Sequence, residues 1–227
     1  ITILVLYLSI EGAYLIFVKN NKWGAVPIAF GISIKLMPLV LIPLLLYRKR
    51  FVETGIVVLA LVFFYISPAL FIGWEQNMFL IKSWYSLINP SNQQHILDVE
   101  ERTFHGLSTL LSVLLVKNVP DVYALKISRN IADVDLKTLS LILNLVRLAF
   151  ISLTFYFLNS FPFKKEKNKT HLFYSLSYIL LIVPLIFPHQ QPYGFLFALP
   201  ALFCITHVLV SGKISRKNSL GKVFIIV

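Results

Sequence analysis

Long apolar runs alternate with short polar turns along this chain of 227 residues. A helix that crosses a hydrocarbon core of about 30 Å needs roughly 20 mainly apolar residues. In lipid, the backbone groups of such a run must be paired within the run itself, so the runs are expected to be helices. The pattern predicts about six membrane segments, at residues 1–18, 23–47, 51–73, 136–158, 172–187 and 193–210.

The expected fold is therefore an all-α, polytopic transmembrane helical bundle, with residues 1–227 forming one transmembrane domain. A transmembrane β-barrel is disfavoured, because its strands would alternate polar and apolar residues over about ten positions. The sequence begins at Ile1 and ends at Val227, in each case within an apolar run. We therefore expect the chain to be truncated at both ends.

Composition agrees with this class. Hydrophobic residues make up 57% of the chain and charged residues 14%, whereas about a quarter of the residues in a soluble domain are charged. The net charge of +11 is compatible with nucleic-acid binding, but the lysines and arginines flank the apolar runs, where they anchor helix ends and set orientation. The lipid bilayer is thus the expected partner, and nucleic acid is not. Cys204 is the single cysteine, so no intrachain disulfide can form.

The distribution of basic residues predicts the orientation in a plasma membrane. Lysine and arginine concentrate in the turn 48–50, in the loop 164–169 and in the tail after residue 212, and such loops are normally cytoplasmic. Residues 74–135 hold most of the acidic side chains and are expected to form an extracytoplasmic loop region. Within it, residues 104–116 are apolar but too short to span, which predicts a short helix in the interface or packed under the loop.

The run 23–47 has two possible interpretations, because Lys35 and Pro38 interrupt it. If it is a single span, Lys19 and Lys22 lie outside the cell. If it breaks near Lys35 and Pro38 into a re-entrant hairpin, those two lysines are cytoplasmic. Irregular backbone at membrane depth is allowed only where protein or a water-filled cavity covers it.

Lys35 is the sharpest chemical signal in the sequence. A buried ammonium in an apolar run costs at least about 2.5–3.5 kcal/mol, so it should face a cavity or a partner. The functional interpretation is a phosphate contact inside the membrane. The structural interpretation is a lysine that reaches an interface or pairs with a carboxylate such as Glu11. Arg147 has a similar position in the run 136–158, and for it we favour pairing with another helix.

Two polar stretches hold further candidates. Residues 95–105 combine histidines, carboxylates and an arginine, and Arg102 and His105 suit phosphate or acid–base chemistry because they border an apolar helix. The alternative is a solvated loop. His189, Gln190 and Gln191 lie between two prolines and suit hydroxyl-rich ligands such as sugars, or they form an ordinary polar turn. No metal-site spacing is present, so no metal is expected.

The segment 32–38 (ISIKLMP), followed by leucines and the basic turn 48–50, resembles the family 87 glycosyltransferases of the GT-C superfamily. That family carries a Lys-x-x-Pro in an apolar helix, as Lys35 and Pro38 do here. Residues 103–110 (TFHGLSTL) and 188–200 (PHQQPYGFLFALP) are similar to the family's external loop motif and to its later proline-bounded motif. The resemblance covers most of this chain and the C-terminal part of the family.

The resemblance implies a hexosyltransferase that moves a hexose, often mannose, from a polyprenyl-phosphate-linked sugar donor to a lipid or glycan acceptor on the outer face. No cofactor is expected. Lys35, Arg102 and His105 would bind the donor phosphate, and His189, Gln190 and Gln191 would bind the sugar or acceptor. The family's catalytic aspartate would precede Ile1, so this chain is expected to lack it.

Two other classes of function stay open. A transporter or flippase of a lipid-linked or anionic substrate would also need buried charge, but it should show paired broken helices in two related halves. In the sequence only the run 23–47 looks broken. A structural subunit of a membrane complex is the third possibility, and it leaves Lys35 without a role.

Overall fold

The computed structural model of the protein describes residues 1–88, 106–117, 129–158, 163, 168–186 and 192–210. Of these residues 85% are helical and none lies in a strand, which confirms the predicted all-α class for the described part. The α-helices are α1 (Thr2–Phe17), α2 (Ala25–Ile34), α3 (Leu41–Tyr47), α4 (Phe51–Ile66), α5 (Ala69–Ile72), α6 (Trp74–Ile88), α7 (Leu107–Leu115), α8 (Leu136–Leu158), α9 (Lys169–Ile186) and α10 (Leu199–Val210). Short 3₁₀ segments cover Lys22–Gly24, Met37–Val40 and Pro192–Ala198.

Three helical segments in the described residues are long and apolar enough to cross a membrane: Phe51–Ile72, Leu136–Leu158 and Pro192–Val210. Only 6% of the most apolar stretch of Phe51–Ile72 is buried inside the protein. A helix with so much exposed apolar surface needs an apolar surrounding, which a bilayer provides. Four further apolar helical segments are shorter: Thr2–Phe17, Lys22–Ile34, Met37–Tyr47 and Lys169–Leu185.

Residues 23–47 form a hairpin and do not run straight. At its start, Asn20 accepts a hydrogen bond of 2.7 Å from the guanidinium of Arg50, which follows the end of the hairpin. Further along, the rings of Phe30 in α2 and Phe64 in α4 lie 5.5 Å apart, so α2 and α4 run side by side in the same direction. The two ends of the segment therefore lie at the same end of the bundle, as the re-entrant interpretation requires.

The core is built around the contact between α1 and α2. Gly12 and Gly24 let the two backbones meet: a Cβ on Gly12 would lie 2.6 Å from the carbonyl oxygen of Gly24. Helix α4 flanks α2, and α9 with the segment Pro192–Ala198 closes the other side. The centre of the core consists of fully buried aliphatic and aromatic side chains, including Val5, Ile16, Ile28, Leu45, Val57, Leu180 and Phe197.

The turns 19–22 and 48–50 and the start of α9 meet at one end of the bundle, which we call the basic end. Arg48 links two of these parts, since its guanidinium donates to Ser175 of α9 at 3.1 Å. Although the sequence places Arg48 in an exposed basic turn, its side chain is only 1% exposed. The charge of Arg48 is therefore not exposed at the surface of this end, and its guanidinium instead holds the turn 48–50 against α9.

The region 74–135 contains more helix than the sequence indicated. Gly73 turns the chain with a φ of +83°, and the 15-residue helix α6 follows it. The side-chain amide of Asn77 donates to the backbone oxygen of Tyr65 at 3.0 Å, and Trp84 packs on the Tyr65 ring. These contacts fold α6 back onto the end of α4, so the region holds a helix that the sequence did not predict in addition to the expected one within 104–116.

Helix α7 lies within the predicted apolar stretch 104–116 and packs against α8. The backbone oxygen of Leu114 accepts from the amide of Ile131 at 2.8 Å, close before the start of α8. At the other end of α7, Ser108 accepts from Arg147 at 3.2 Å. Because Arg147 lies about 16 Å along α8 from Leu136, α7 packs lengthwise against α8.

Candidate functional site

The position of Lys35 follows from Pro38. The proline ring collides with the carbonyl group four residues earlier and lacks an N–H of its own, and four residues before Pro38 is Ile34, where α2 ends. Lys35 leaves the helix with an extended backbone (φ −153°, ψ 130°). Pro38 then fits the first turn of the 3₁₀ segment Met37–Val40. The sequence thus places a lysine at the tip of the hairpin.

Two side chains from distant parts of the chain contact the ammonium of Lys35. Its Nζ donates to Thr2 Oγ1 at 3.3 Å and lies 3.7 Å from the centre of the Tyr193 ring. Thr2 is at the far end of α1 from Phe17, about 22 Å along the helix. Lys35 therefore lies in the half of the bundle that faces away from the basic end.

Both partners are held in place by the fold. Thr2 is 9% exposed, while Tyr193 is 46% exposed and begins the 3₁₀ segment Pro192–Ala198. Gly194 and Phe197 of this segment are buried, and they fix its position against the core. We call Lys35, Thr2 and Tyr193 the Lys35 site.

The Lys35 site has a net positive charge. Among the residues that the structure describes, no carboxylate lies within 4.0 Å of the Lys35 ammonium. Glu11, the partner considered from the sequence, is nine residues along α1 from Thr2, or about 13 Å. Lys35 is only partly buried, and an ammonium has three donors. The site can therefore accept an anion beside the hydroxyl and the ring.

Arg147 contacts another helix, in agreement with the interpretation favoured from the sequence. Its guanidinium donates to Ser108 of α7 at 3.2 Å and to Asn144 of α8 at 3.4 Å. These are neutral partners. Arg147 holds α7 against α8, which is a structural role.

The other predicted site residues, Arg102, His105, His189, Gln190 and Gln191, lie outside the described residues. The chain re-enters the described part at Pro192 and Tyr193, directly after His189–Gln191. Tyr193, two residues after Gln191 in the sequence, contacts Lys35.

Sequence reasoning missed two members of the site. Thr2 carries no signal, because one threonine in an apolar helix is unremarkable. Tyr193 is an aromatic residue near a helix end, which is typical of the membrane interface; its position directly after a proline-bounded polar turn was the available clue. Within the described residues, no group of three histidine, cysteine, aspartate or glutamate side chains could hold a metal ion.

Comparisons with protein-family models, with curated proteins and with solved structures found no match for this chain.

Proposed function

We propose that the protein is a membrane glycosyltransferase of the GT-C type that transfers a hexose, such as mannose, from a polyprenyl-phosphate sugar to a lipid or glycan acceptor on the outer face. In this proposal the basic end is cytoplasmic, residues 74–135 are extracytoplasmic, and about six segments lie in the plasma membrane. The observation that supports it best is the Lys35 site: a cation at the tip of a re-entrant hairpin, with neutral partners.

The chemistry of the donor explains why a cation is useful there. When the sugar leaves, the polyprenyl phosphate gains negative charge, and a positive group that is already in place stabilises that charge without reorganisation. Thr2 and Tyr193 hold the ammonium of Lys35 from two sides. The surrounding apolar helices lower the local dielectric constant, so the attraction between ammonium and phosphate is stronger than in water.

The depth of the Lys35 site suits a lipid-linked substrate. Thr2 marks the end of α1 that faces away from the basic end, so a phosphate at Lys35 would lie in the outer half of the bilayer. Its polyprenyl tail could then remain among the lipid-facing helices. His189, Gln190 and Gln191 are proposed to bind the sugar or acceptor, since Tyr193, which follows that turn in the sequence, is in contact with Lys35. Arg102 and His105 are proposed as further phosphate ligands.

The test is sugar transfer in native membranes of cells that express the full-length protein with variants of Lys35. We expect Lys35→Met to reduce transfer from a radiolabelled polyprenyl-phosphate hexose by at least about a hundredfold, the scale found when one oxyanion-stabilising group is removed. Lys35→Arg should retain part of the activity because it keeps the charge. The matched control is Lys22→Met, which removes an exposed lysine at the basic end. Equal transfer by Lys35→Met and the control would refute the phosphate role.

A transporter or flippase of an anionic lipid is the second candidate, and one observation favours it. Helices α2 and α3 form a broken helix with an irregular, charged tip, which is typical of transporter binding sites. Reconstituted vesicles distinguish the two functions. Movement of a fluorescent polyprenyl phosphate between leaflets without formation of a glycosylated product would support transport. Product formation without such movement would support the transferase.

A further inference from the structure

An apolar crevice lies between α3, α8 and α9, on the basic side of the Lys35 site. Its volume is about 180 Å³, and it is lined by Leu44, Tyr47, Ile151, Leu158, Ile179 and Ile182. The one side-chain hydroxyl of α8 in the lining, that of Thr154, donates to the backbone oxygen of Phe150 at 2.8 Å. The walls therefore suit a hydrocarbon chain and offer little to a polar ligand.

The length of the crevice fits within one leaflet. It extends along the hairpin from Tyr47, at the basic end, to Val40, which is about 10 Å for seven helical residues. On α8 it covers the last two turns, from Ile151 to Leu158. One leaflet provides about half of a 30 Å core. An acyl chain from the leaflet at the basic end would thus enter beside Tyr47 and end near Val40.

The entrance of the crevice is positively charged. Arg48, Lys49 and Arg50 follow Tyr47 directly. Arg50 is occupied, since it binds Glu53 at 3.2 Å and Asn20 at 2.7 Å, and Arg48 is buried against Ser175. Lys49 is exposed at the turn, with a φ of +58°. No carboxylate in the described ranges lies within ion-pair distance of Lys49, so its ammonium can bind an anion at the basic end.

We propose that this crevice binds one acyl chain of an acidic phospholipid, whose phosphate pairs with Lys49. Basic side chains between membrane helices attract acidic headgroups, because the headgroup and the cation neutralise each other in a region of lowered dielectric constant. The walls supply the apolar contact and the turn supplies the charge. This site is separate from the Lys35 site, which lies in the other half of the bundle, and it does not depend on the proposed transferase activity.

The experiment measures lipid binding to the purified protein in detergent micelles by native mass spectrometry. Phosphatidylglycerol is compared with phosphatidylcholine of the same acyl chains. We expect phosphatidylglycerol to bind about fivefold more tightly, since one lysine near the surface contributes about that factor. Lys49→Gln should remove this preference and leave chain binding intact, whereas Lys82→Gln, which changes an exposed lysine of α6, should leave both unchanged.

A second pair of variants tests the crevice itself. Ile151→Trp fills it and should abolish retention of either phospholipid. Leu153→Trp is the matched control, since residue 153 is on the opposite face of α8, 52% exposed and outside the lining. Equal lipid retention by the two tryptophan variants would overturn the proposal. So would equal affinity for the two headgroups, or selective retention of a polyprenyl phosphate in place of phosphatidylglycerol.

Discussion

The ammonium of Lys35 lies 3.7 Å from the centre of the Tyr193 ring. This contact joins the tip of the hairpin to the 3₁₀ segment Pro192–Ala198, which is more than 150 residues later in the sequence. A cation over an aromatic face contributes about 0.5–2 kcal/mol, and more where water is excluded. This contact joins α2 to the segment Pro192–Ala198 without any backbone hydrogen bond between them.

Replacing the ring should therefore weaken the fold. We expect Tyr193→Leu to lower the free energy of unfolding by about 0.5–2 kcal/mol, and Tyr193→Phe, which keeps the ring, to have a smaller effect. Thermal unfolding in detergent measures the change. The control is Tyr156→Leu, at an exposed tyrosine of α8. In a double-mutant cycle with Lys35→Met, additive effects would contradict the contact.

The hairpin makes a prediction about sidedness. Cysteines introduced at Lys22 and Lys49 should react with a membrane-impermeant maleimide from the same side of sealed vesicles, because Asn20 and Arg50 are hydrogen-bonded at 2.7 Å. The background carries Cys204→Ser, which removes the one native thiol. Labelling of the two cysteines from opposite sides would show that residues 25–47 cross the membrane once.

The close contact between α1 and α2 predicts opposite effects for three similar substitutions. A Cβ at Gly12 would lie 2.5 Å from Ile28 Cγ1, and one at Gly24 would lie 2.6 Å from a backbone oxygen. Gly12→Ala and Gly24→Ala should each cost about 1–3 kcal/mol through overpacking.

Gly55 in α4 is the matched control, since a Cβ there meets no atom within 4 Å. Gly55→Ala should stabilise the protein by up to about 1 kcal/mol, because alanine is the better helix former. Thermal unfolding in one detergent compares the three variants. Loss of stability in Gly55→Ala, or none in the other two, would contradict the packing.

The start of α8 predicts a dependence on pH. The Asp135 carboxylate accepts hydrogen bonds from the Thr138 hydroxyl and from the Lys137 amide, and the Thr138 bond is the main cause that lowers the pKa of Asp135. Because the pKa is lowered, the charged cap stabilises the helix fully at pH values above the ordinary aspartate pKa, which is near 3.9. The stabilisation is lost as the pH falls through the lower folded value.

Hydrogen exchange of the Lys137 and Thr138 amides measures this cap. Protection should fall as the medium is brought from pH 6 to below about pH 4. Asp135→Asn should keep the protection without the pH dependence, because asparagine is an equally good N-cap, and Asp135→Ala should lose the protection. Asp133→Asn is the control, since that side chain binds the amide of Lys117, outside α8. An unchanged pH profile in Asp135→Asn would contradict the assignment.

Hydrophobic runs predicted the positions of many helices, because the length and composition of an apolar run indicate where such a helix begins and ends. The segment 136–158 agrees with α8 to the residue, and α9 begins three residues before the predicted run. The hairpin was one of two interpretations. Pro38 dictates the break by local sterics, but the turning back of the chain depends on long-range contacts, such as that of Arg50 with Asn20, 30 residues apart.

The remainder depended on tertiary contacts. Helix α6 was missed because polar residues such as Glu75 and Asn77 interrupt its apolar residues, so the segment does not form a continuous apolar run. The burial of Arg48 depends on Ser175, 127 residues later, and no local pattern encodes it. The same holds for Thr2 and Tyr193: the sequence identified Lys35 as unusual but could not supply its partners.

The hairpin also constrains how the protein is made. Neither α2 nor α3 is long enough to cross the bilayer, and the extended backbone at Lys35 would expose unpaired peptide groups to lipid tails. In the proposed membrane arrangement, these two helices are not stable spans one at a time. They would need α1 and α4 beside them, so that arrangement predicts that residues 2–66 integrate as a single cooperative unit during synthesis.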